Sequence, residues 1–473
     1  NQLNMLISGF LKDIKQFPAS FWFLNVFQML EKLAYWSVLM QLPVYIAQKD
    51  APGGLHWDQS VKGLIFMVWA IVQNLTPVFT GGFADRTGYR KSLFISFLFV
   101  VAGYFIFGAV RDVYIFAAGA VMVGFGLGVF KPVLQASISQ KLKGCNESLG
   151  WGLYFMLYNA AVLMCLFVSV YLKSISWQAV FWGSAAIFGL NFILLLFFKP
   201  EAVAEKDTRS NAAVLKEIFA GLLEKKILYL VLIMSGFGFI FMQFYETYSN
   251  FFIDWVDSSY LASALSLPEM FTMDTGLGKM VSYEVVINLN PLLLILFVAV
   301  LSWLLSKKAP VGVMIFGMLL CTGGFALLGF SAWWLPAIAG VVVYSFGEMI
   351  VNPKYTEFFS INAPHGGKAR YLSYQNISLA IGYGLGAVTS GFLYRELGEK
   401  AHMAADYLIK SGYKGTINPS EAFGLLVSQT RMTPAQATNL LWDTYHPYYA
   451  WLPYIGVGIL TVAGLIAYNR RFR

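Results

Sequence analysis

Apolar stretches of about 20 residues, long enough to cross a ~30 Å hydrocarbon layer as helices, recur along this chain between short polar breaks. The pattern predicts twelve membrane-spanning helices, over 19–47, 61–82, 92–110, 113–140, 150–172, 177–198, 226–250, 284–306, 311–331, 333–361, 373–396 and 448–469. The stretch from near Phe21 is too long for a cleavable signal sequence and reads as the first span. Residues 1–198 and 226–473 then form two six-helix bundles, joined by a charged, helix-prone cytoplasmic linker over 199–225. Segments 251–283 and 397–447 fall on the opposite side. In the latter, Thr433-Pro434 sets an N-cap before a Pro at the first helical position. Short external helices capping the mouth are expected there.

Charge placement fixes the orientation. The N terminus, the even-to-odd loops and the C terminus carry about twice as many Lys and Arg as the other side, so both termini are expected in the cytoplasm. The net charge of +8 thereby needs no nucleic acid. Only 12% of residues are charged and 58% are hydrophobic, against about 25% charged in soluble domains. A soluble enzyme or nucleic-acid binder is excluded on that ground. Cys145, Cys165 and Cys321 stand far apart without a Cys/His pattern, which supports neither disulfides nor a metal site. No HExxH motif, GxSxG with a distributed triad, or phosphate loop occurs. No catalytic activity and no cofactor are expected. A monomer in the plasma membrane, of the bacterial inner-membrane type, is the expected setting.

Ionisable residues inside membrane helices cost roughly 2.5–3.5 kcal/mol each on insertion scales and so turn toward partners or water. In the first span, Gln28, Glu31, Lys32 and Tyr35 share one helix face. Lys131 is the one base expected deep in the second to sixth spans. If it lies opposite Glu31, protonating the acid frees the lysine for a substrate carboxylate, a proton-coupling device; the alternative is a static Glu31–Lys32 or Glu31–Lys131 pair that only locks helices together. In the second half, Gln243, Glu246 and Asn250 share a face of the seventh span, and Glu348, Asn352 and Tyr355 a face of the tenth. These carboxylates suit a substrate amine, so a dipolar ligand would bridge the halves. Tyr35, Trp36, Tyr154 and Tyr158 are expected as pocket walls. On the eleventh span, Tyr374, Gln375 and Ser378 form a further polar face, and Lys354 with Glu357 is a candidate inner gate. Gly124-Phe-Gly-Leu-Gly-Val-Phe-Lys131-Pro132 and Phe346-Gly-Glu348-Met-Ile-Val-Asn352-Pro353 set a polar residue before Pro at matching depth. Helices related by a two-fold repeat would do this.

The turn after the second span, Gly81-Gly-Phe-Ala-Asp85-Arg86-Thr-Gly88-Tyr-Arg90-Lys91, resembles the signature of the major facilitator superfamily. The resemblance implies the major facilitator fold, with this loop as a conformational switch. Further strings resemble the proton-dependent oligopeptide (peptide/nitrate) transporters. They are Gln28-Met-Leu-Glu31-Lys32-Leu-Ala-Tyr35-Trp36, Gly126-x-Gly128-x-Phe130-Lys131-Pro132, Tyr154-Phe155-Met-Leu-Tyr158-Asn159, Asn288-Leu-Asn290-Pro291 and Gly347-Glu348. The first string departs from that family's motif, with Gln28 for a Glu and Lys32 for an Arg. One carboxylate is lost and a planar fork becomes a point charge. An extra helix pair between the halves is absent, and the 397–447 insertion is unusual.

What the resemblance implies is secondary active transport: proton-coupled uptake of di- or tripeptides or similar small zwitterions by alternating access. Asn159 would bond a peptide backbone and Glu348 a peptide amine, with Glu31, Lys131 and Glu348 in proton coupling. Substrate contacts would come from Lys32, Tyr35, Trp36, Lys131, Tyr154, Tyr158, Asn159 and Glu348, with Gln28, Gln243, Glu246, Asn290 and Asn352 as further candidates. The alternatives are a proton antiporter exporting drugs or cationic amphipathic compounds, and a non-transporting receptor on a transporter fold.

Overall fold

The computed structural model describes residues 14–142, 145, 147–199, 211–275, 278–305, 307–362 and 368–472. Six long helices form the first half: α1 (Ala19–Ala47), α2 (Gln59–Thr87), α3 (Tyr89–Ala109), α4 (Val113–Leu142), α5 (Glu147–Ile175) and α6 (Trp177–Phe197). The linker contains α7 (Asn211–Leu222). The seventh predicted span is an irregular rod of α8 (Lys225–Phe241), α9 (Gln243–Glu246) and α10 (Tyr248–Trp255), whose joints at Met242 and Thr247 keep right-handed helical dihedrals. After α11 (Ser259–Ala264), a hairpin pairs β1 (Thr272–Asp274) with β2 (Lys279–Val281), Met273 facing Met280. Then follow α12 (Tyr283–Leu305), α13 (Pro310–Gly329), α14 (Trp334–Asn362) and α15 (Lys368–Leu397). Three short helices, α16 (Lys400–Lys410), α17 (Ala422–Thr430) and α18 (Pro434–Tyr445), precede the last long one, α19 (Leu452–Arg471).

Among the described residues, ten helices are long and apolar enough to cross a membrane. The other two predicted spans coincide with α1, which is 29 residues long but studded with polar groups, and with α12, whose apolar stretch covers Tyr283–Val298. This is an integral, multi-pass membrane protein. Its large exposed side chains, such as Phe105, Phe167, Leu196 and Leu460, are apolar, as a lipid-facing surface requires.

Helices α1 to α6 pack mainly on one another, through α2 and α3 on α4, α3 on α6, and α1 on α5 and α6. The second set repeats this through α13 on α14 and α19, α12 on α14, and α8 on α15 and α19. The sets meet where α2 lies along α15 and α5 along α12. Glycines permit the first contact. A Cβ on Gly63 would run into the Ala387 carbonyl, and one on Gly391 would come 2.6 Å from the Gln59 carbonyl and 3.0 Å from the Gly63 Cα. Small residues bring membrane helices this close. Gly63→Leu is therefore expected to part α2 from α15 and abolish transport. Monodisperse, fully active Gly63→Leu protein in size-exclusion and uptake measurements would contradict this contact.

The expected external helices are present. Thr433 caps α18 as its sequence suggests, and Gln436 closes a reciprocal capping box: Gln436 N donates to Thr433 Oγ1 at 3.3 Å and Thr433 N to Gln436 Oε1 at 2.9 Å. Leu408, Leu426 and Leu441, one from each short helix, are buried beneath this cap. One expectation is corrected. The signature string is no loop: α2 continues to Thr87 and α3 starts at Tyr89, so the connection is Gly88 alone, at φ 86°. Only a residue tolerant of left-handed backbone turns the chain in one step. The side chains of 80–87, Asp85 and Arg86 among them, lie outside the described residues; Arg90 and Lys91 are exposed.

Candidate functional site

Polar side chains of α1, α4, α5, α9, α12 and α14 converge between the two sets of helices. On α1, the predicted face is turned inward: Gln28, Glu31 and Tyr35 are buried, and Lys32 keeps 18% of its side chain exposed. Glu31 pairs with its neighbour, 3.0 Å from Lys32 Nζ. Of the two pairings the sequence leaves open this is the one with Lys32; Lys131 has no ion pair among the described residues, although its charge acts on Glu31. Lys131 is instead exposed to solvent, although the charges of Lys32 and Glu31 act on it. Both facts hold if its ammonium projects into a wet space between the helices. Lys32 Nζ lies 4.8 Å from the Tyr158 ring centre and 5.5 Å from that of Tyr35, within cation–π reach. Tyr154 OH meets Gln135 at 3.5 Å. Asn159 donates to the carbonyl of Phe155 on its own helix at 2.9 Å.

The opposite wall is acidic. Asn290 donates to Glu348 Oε2 at 2.8 Å and to Ser345 Oγ at 3.0 Å, and Asn352 reaches Glu348 Oε1 at 3.4 Å. Glu348 is 5% exposed and has no ion pair among the described residues. Tyr245 OH donates to Asn290 Oδ1 at 3.3 Å, and its ring lies 4.7 Å from that of Trp36. Trp36 and Tyr245 thus join the wall carrying Lys32 to the wall carrying Glu348. The Glu348 charge acts also on Tyr158 across the divide. The arrangement is a cationic pole and an anionic pole separated by aromatic rings.

One end of this centre, the end bearing the cap, is closed by polar bridges between the sets, buried except at Lys173, whose side chain is 31% exposed. Glu284 on α12 accepts from Lys173 on α5 at 2.7 Å and from Gln41 on α1 at 3.0 Å, and Tyr283 OH donates to Gln41 Oε1 at 2.6 Å. Nearby, Lys62 Nζ donates to the Glu246 carbonyl and to Asn250 Oδ1, both at 3.0 Å. Asn250 Nδ2 donates to Gln48 Oε1, Gln48 Nε2 to Asp254 Oδ1, and Tyr394 OH to Asp254 Oδ2, at 2.8, 2.8 and 2.7 Å. Glu246 and Asn250 therefore sit in this seal, while Gln243 accepts from Thr247 at 2.6 Å.

Lys62 corrects the expectation that Lys131 is alone in depth, because its 0% exposure places a second base within α2. Its position inside the predicted 61–82 span was the available signal. Glu284 opens the 284–306 span in the same way. Gln41 lies inside the 19–47 span as well, while Lys173, Gln48 and Asp254 fall outside the predicted spans and gave no such sign. Lys354 pairs with Glu357 at 2.8 Å, one turn along α14, and donates to the Lys308 carbonyl at 3.3 Å, so this candidate gate does not cross between the sets. Gln375 accepts from Thr356 at 3.1 Å.

Accessibility follows from this geometry. In a Cys145→Ser background, with Cys165 and Cys321 buried, Lys131→Cys is expected to react with a membrane-impermeant maleimide added on the face away from the cap. Reaction from the cap face alone would mean that the closed end has been misidentified.

Comparison with known proteins places the chain. The Major Facilitator Superfamily matches residues 24–387. The multidrug resistance protein MdtH of Edwardsiella ictaluri (strain 93-146) is 21% identical over 349 residues, covering 74% of this chain and 81% of the relative. A Na(+), Li(+), K(+)/H(+) antiporter of Planococcus maritimus is 22% identical over 367 residues, covering 74% and 83%. The crystal structure of the nucleoside transporter NupG superposes with a TM-score of 0.69 at 13% identity, over 96% of this chain and 100% of that one. A POT family transporter in complex with 5-aminolevulinic acid superposes at 0.64 and 15% identity, over 91% and 97%. With the residues 24–387 match, the helical fold and the inward-turned charges agreeing, the chain belongs to the major facilitator superfamily.

Proposed function

We propose that this transporter carries a small zwitterion, of the size of a di- or tripeptide, in symport with protons. The observation that supports this most is the opposed charge of the central walls: Lys32 and Lys131 on one side, and on the other Glu348, without a cation among the described residues. A substrate carboxylate would meet the lysines and its amine Glu348, with Tyr35, Trp36, Tyr158 and Tyr245 closing around the backbone. A proton on Glu31 would dissolve its pair with Lys32 and release that ammonium to the substrate, which links proton and substrate occupancy. The two sets of helices would rock about this midplane site, as repeat-built transporters do. The sealed cap end then corresponds to closure toward the outside, and the wet Lys131 side faces the cytoplasm. The POT complexes with 5-aminolevulinic acid and with a conjugated peptide agree with such a ligand.

The test is uptake of labelled dipeptide by proteoliposomes under an inside-alkaline gradient. Accumulation that collapses on adding a protonophore is the expected result. Vesicles containing folded, oriented protein that take up no dipeptide would sink the symport reading. A second reading, export of cationic compounds against protons, draws on the multidrug resistance relatives. It predicts instead that a proton gradient drives ethidium out of the binding side.

A further inference from the structure

A second polar space lies at the cap end, apart from the central site. It is a cavity of about 480 Å³ between the seal and the cap, within the roughly 300–1,000 Å³ of small-molecule pockets. Its walls come from both sets of helices, with Lys49, Asp50 and Gln59 on one side and Asp254, Glu399 and Lys400 on the other. Counting Glu421, four lining residues are acidic and two are basic. Both bases are engaged. Lys49 Nζ donates to the carbonyls of His56 at 3.0 Å and Trp57 at 2.8 Å. The Lys400 ammonium lies 4.7 Å from the Phe423 ring centre and 5.4 Å from that of Trp255. Asp254 already accepts from Gln48 and Tyr394.

Glu399 and Gln59 are different. They are 5% and 1% exposed, and among the described residues neither Glu399 Oε1 nor Gln59 Oε1 accepts a hydrogen bond. Glu399 Oε1 has only a long ion pair with Lys49 Nζ, at 4.0 Å and beyond hydrogen-bond distance. Buried acceptors without donors are rare because each has lost water and gained nothing. We propose that this chamber binds a small organic ammonium, whose N–H groups are taken by Glu399 and Gln59 while Asp50 adds to the negative surroundings. The excess of carboxylates opposes an anion. A metal ion is disfavoured because no three His, Cys, Asp or Glu side chains among the described residues are grouped to hold one. The site stands independently of the central transport reading, since it shares no residue with the Lys32 and Glu348 walls.

Equilibrium dialysis of labelled 1,4-diaminobutane against the purified full-length chain in lipid nanodiscs tests this. Wild-type protein is expected to bind it, Glu399→Gln to weaken binding at least tenfold, and Glu348→Gln to leave it unchanged. Gly424→Leu provides an independent arm. Gly424 lines the chamber, and a Cβ added there meets no atom within 4 Å, so the larger side chain should fill the space and block binding without lowering Tm. Wild-type protein that does not bind would overturn the proposal. So would undiminished binding in both chamber variants, or loss of binding in Glu348→Gln, which would place the ammonium at the central acid.

Discussion

Glu348→Gln is expected to abolish gradient-driven accumulation and to raise the KM for a dipolar substrate. The substitution keeps the shape of the side chain and removes only the charge. Asn290 and Asn352 both donate to this carboxylate, so it is held in place without being neutralised. A neutral amide there cannot offset a substrate ammonium in a water-poor site. Truncating one partner of a buried, hydrogen-bonded charge pair costs about 2–5 kcal/mol, which is roughly 30-fold to several-thousand-fold in affinity. Uptake kinetics with zwitterionic and N-blocked dipeptides separate the causes. If Glu348 meets the amine, the variant should cease to distinguish the two. Accumulation within twofold of wild type would leave Glu348 a static fastening between α12 and α14.

Glu284→Gln should act on conformation rather than on affinity. Glu284 is buried and accepts from Lys173 and Gln41, which belong to the other set of helices. Lys173 keeps 31% of its side chain exposed, so losing its partner costs less than the ~3–5 kcal/mol of a fully buried ion pair, whereas replacing both members by apolar groups is often neutral. The penalty falls on the state in which the ends meet, because opening returns Lys173 to water. A loss of about 1–2 kcal/mol shifts a two-state ratio roughly 5- to 30-fold, enough to make a marginally favoured closed form the minority. Spin labels at positions 114 and 414, both exposed at the cap end, should report a longer distance in Glu284→Gln. Adding Lys173→Met should restore the shorter one. An unchanged distance distribution in the single variant would mean that the seal does not rest on this pair.

The helices were legible because a lipid-facing surface demands apolar runs of a set length, and the first-span face could be read because a charge within such a run must turn inward. Glu31, Lys32 and Glu348 came from that rule alone. The partner of Glu31 stayed open between Lys32 and Lys131. Glu31 pairs with the adjacent Lys32, and the choice between the two lysines depends on where the flexible chain of Lys32 folds back. Asn290 is a candidate through the resemblance of Asn288-Leu-Asn290-Pro291 to the peptide transporters, but its bond to Glu348 crosses between helices, and no spacing along the chain encodes such a crossing. The seal was missed for a related reason. Lys62, Lys173 and Glu284 stand at span ends, where charge is ordinary, and only the approach of α5 to α12 and of α2 to α15 turns those ends into an interior.

That seal also bears on biosynthesis. Lys62 and Lys173 emerge early, within the first set of helices, while the acceptors that satisfy them, Glu246, Asn250 and Glu284, follow at the far side of the linker. A nascent chain halted before the linker would hold two ammonium groups at its membrane face with no acceptor from the second set. Such a fragment should be retained by quality control and degraded, and co-expression of the two sets as separate polypeptides should rescue both. Maturation of this protein is thus a step of mutual neutralisation between its halves, completed only when the second half has been inserted.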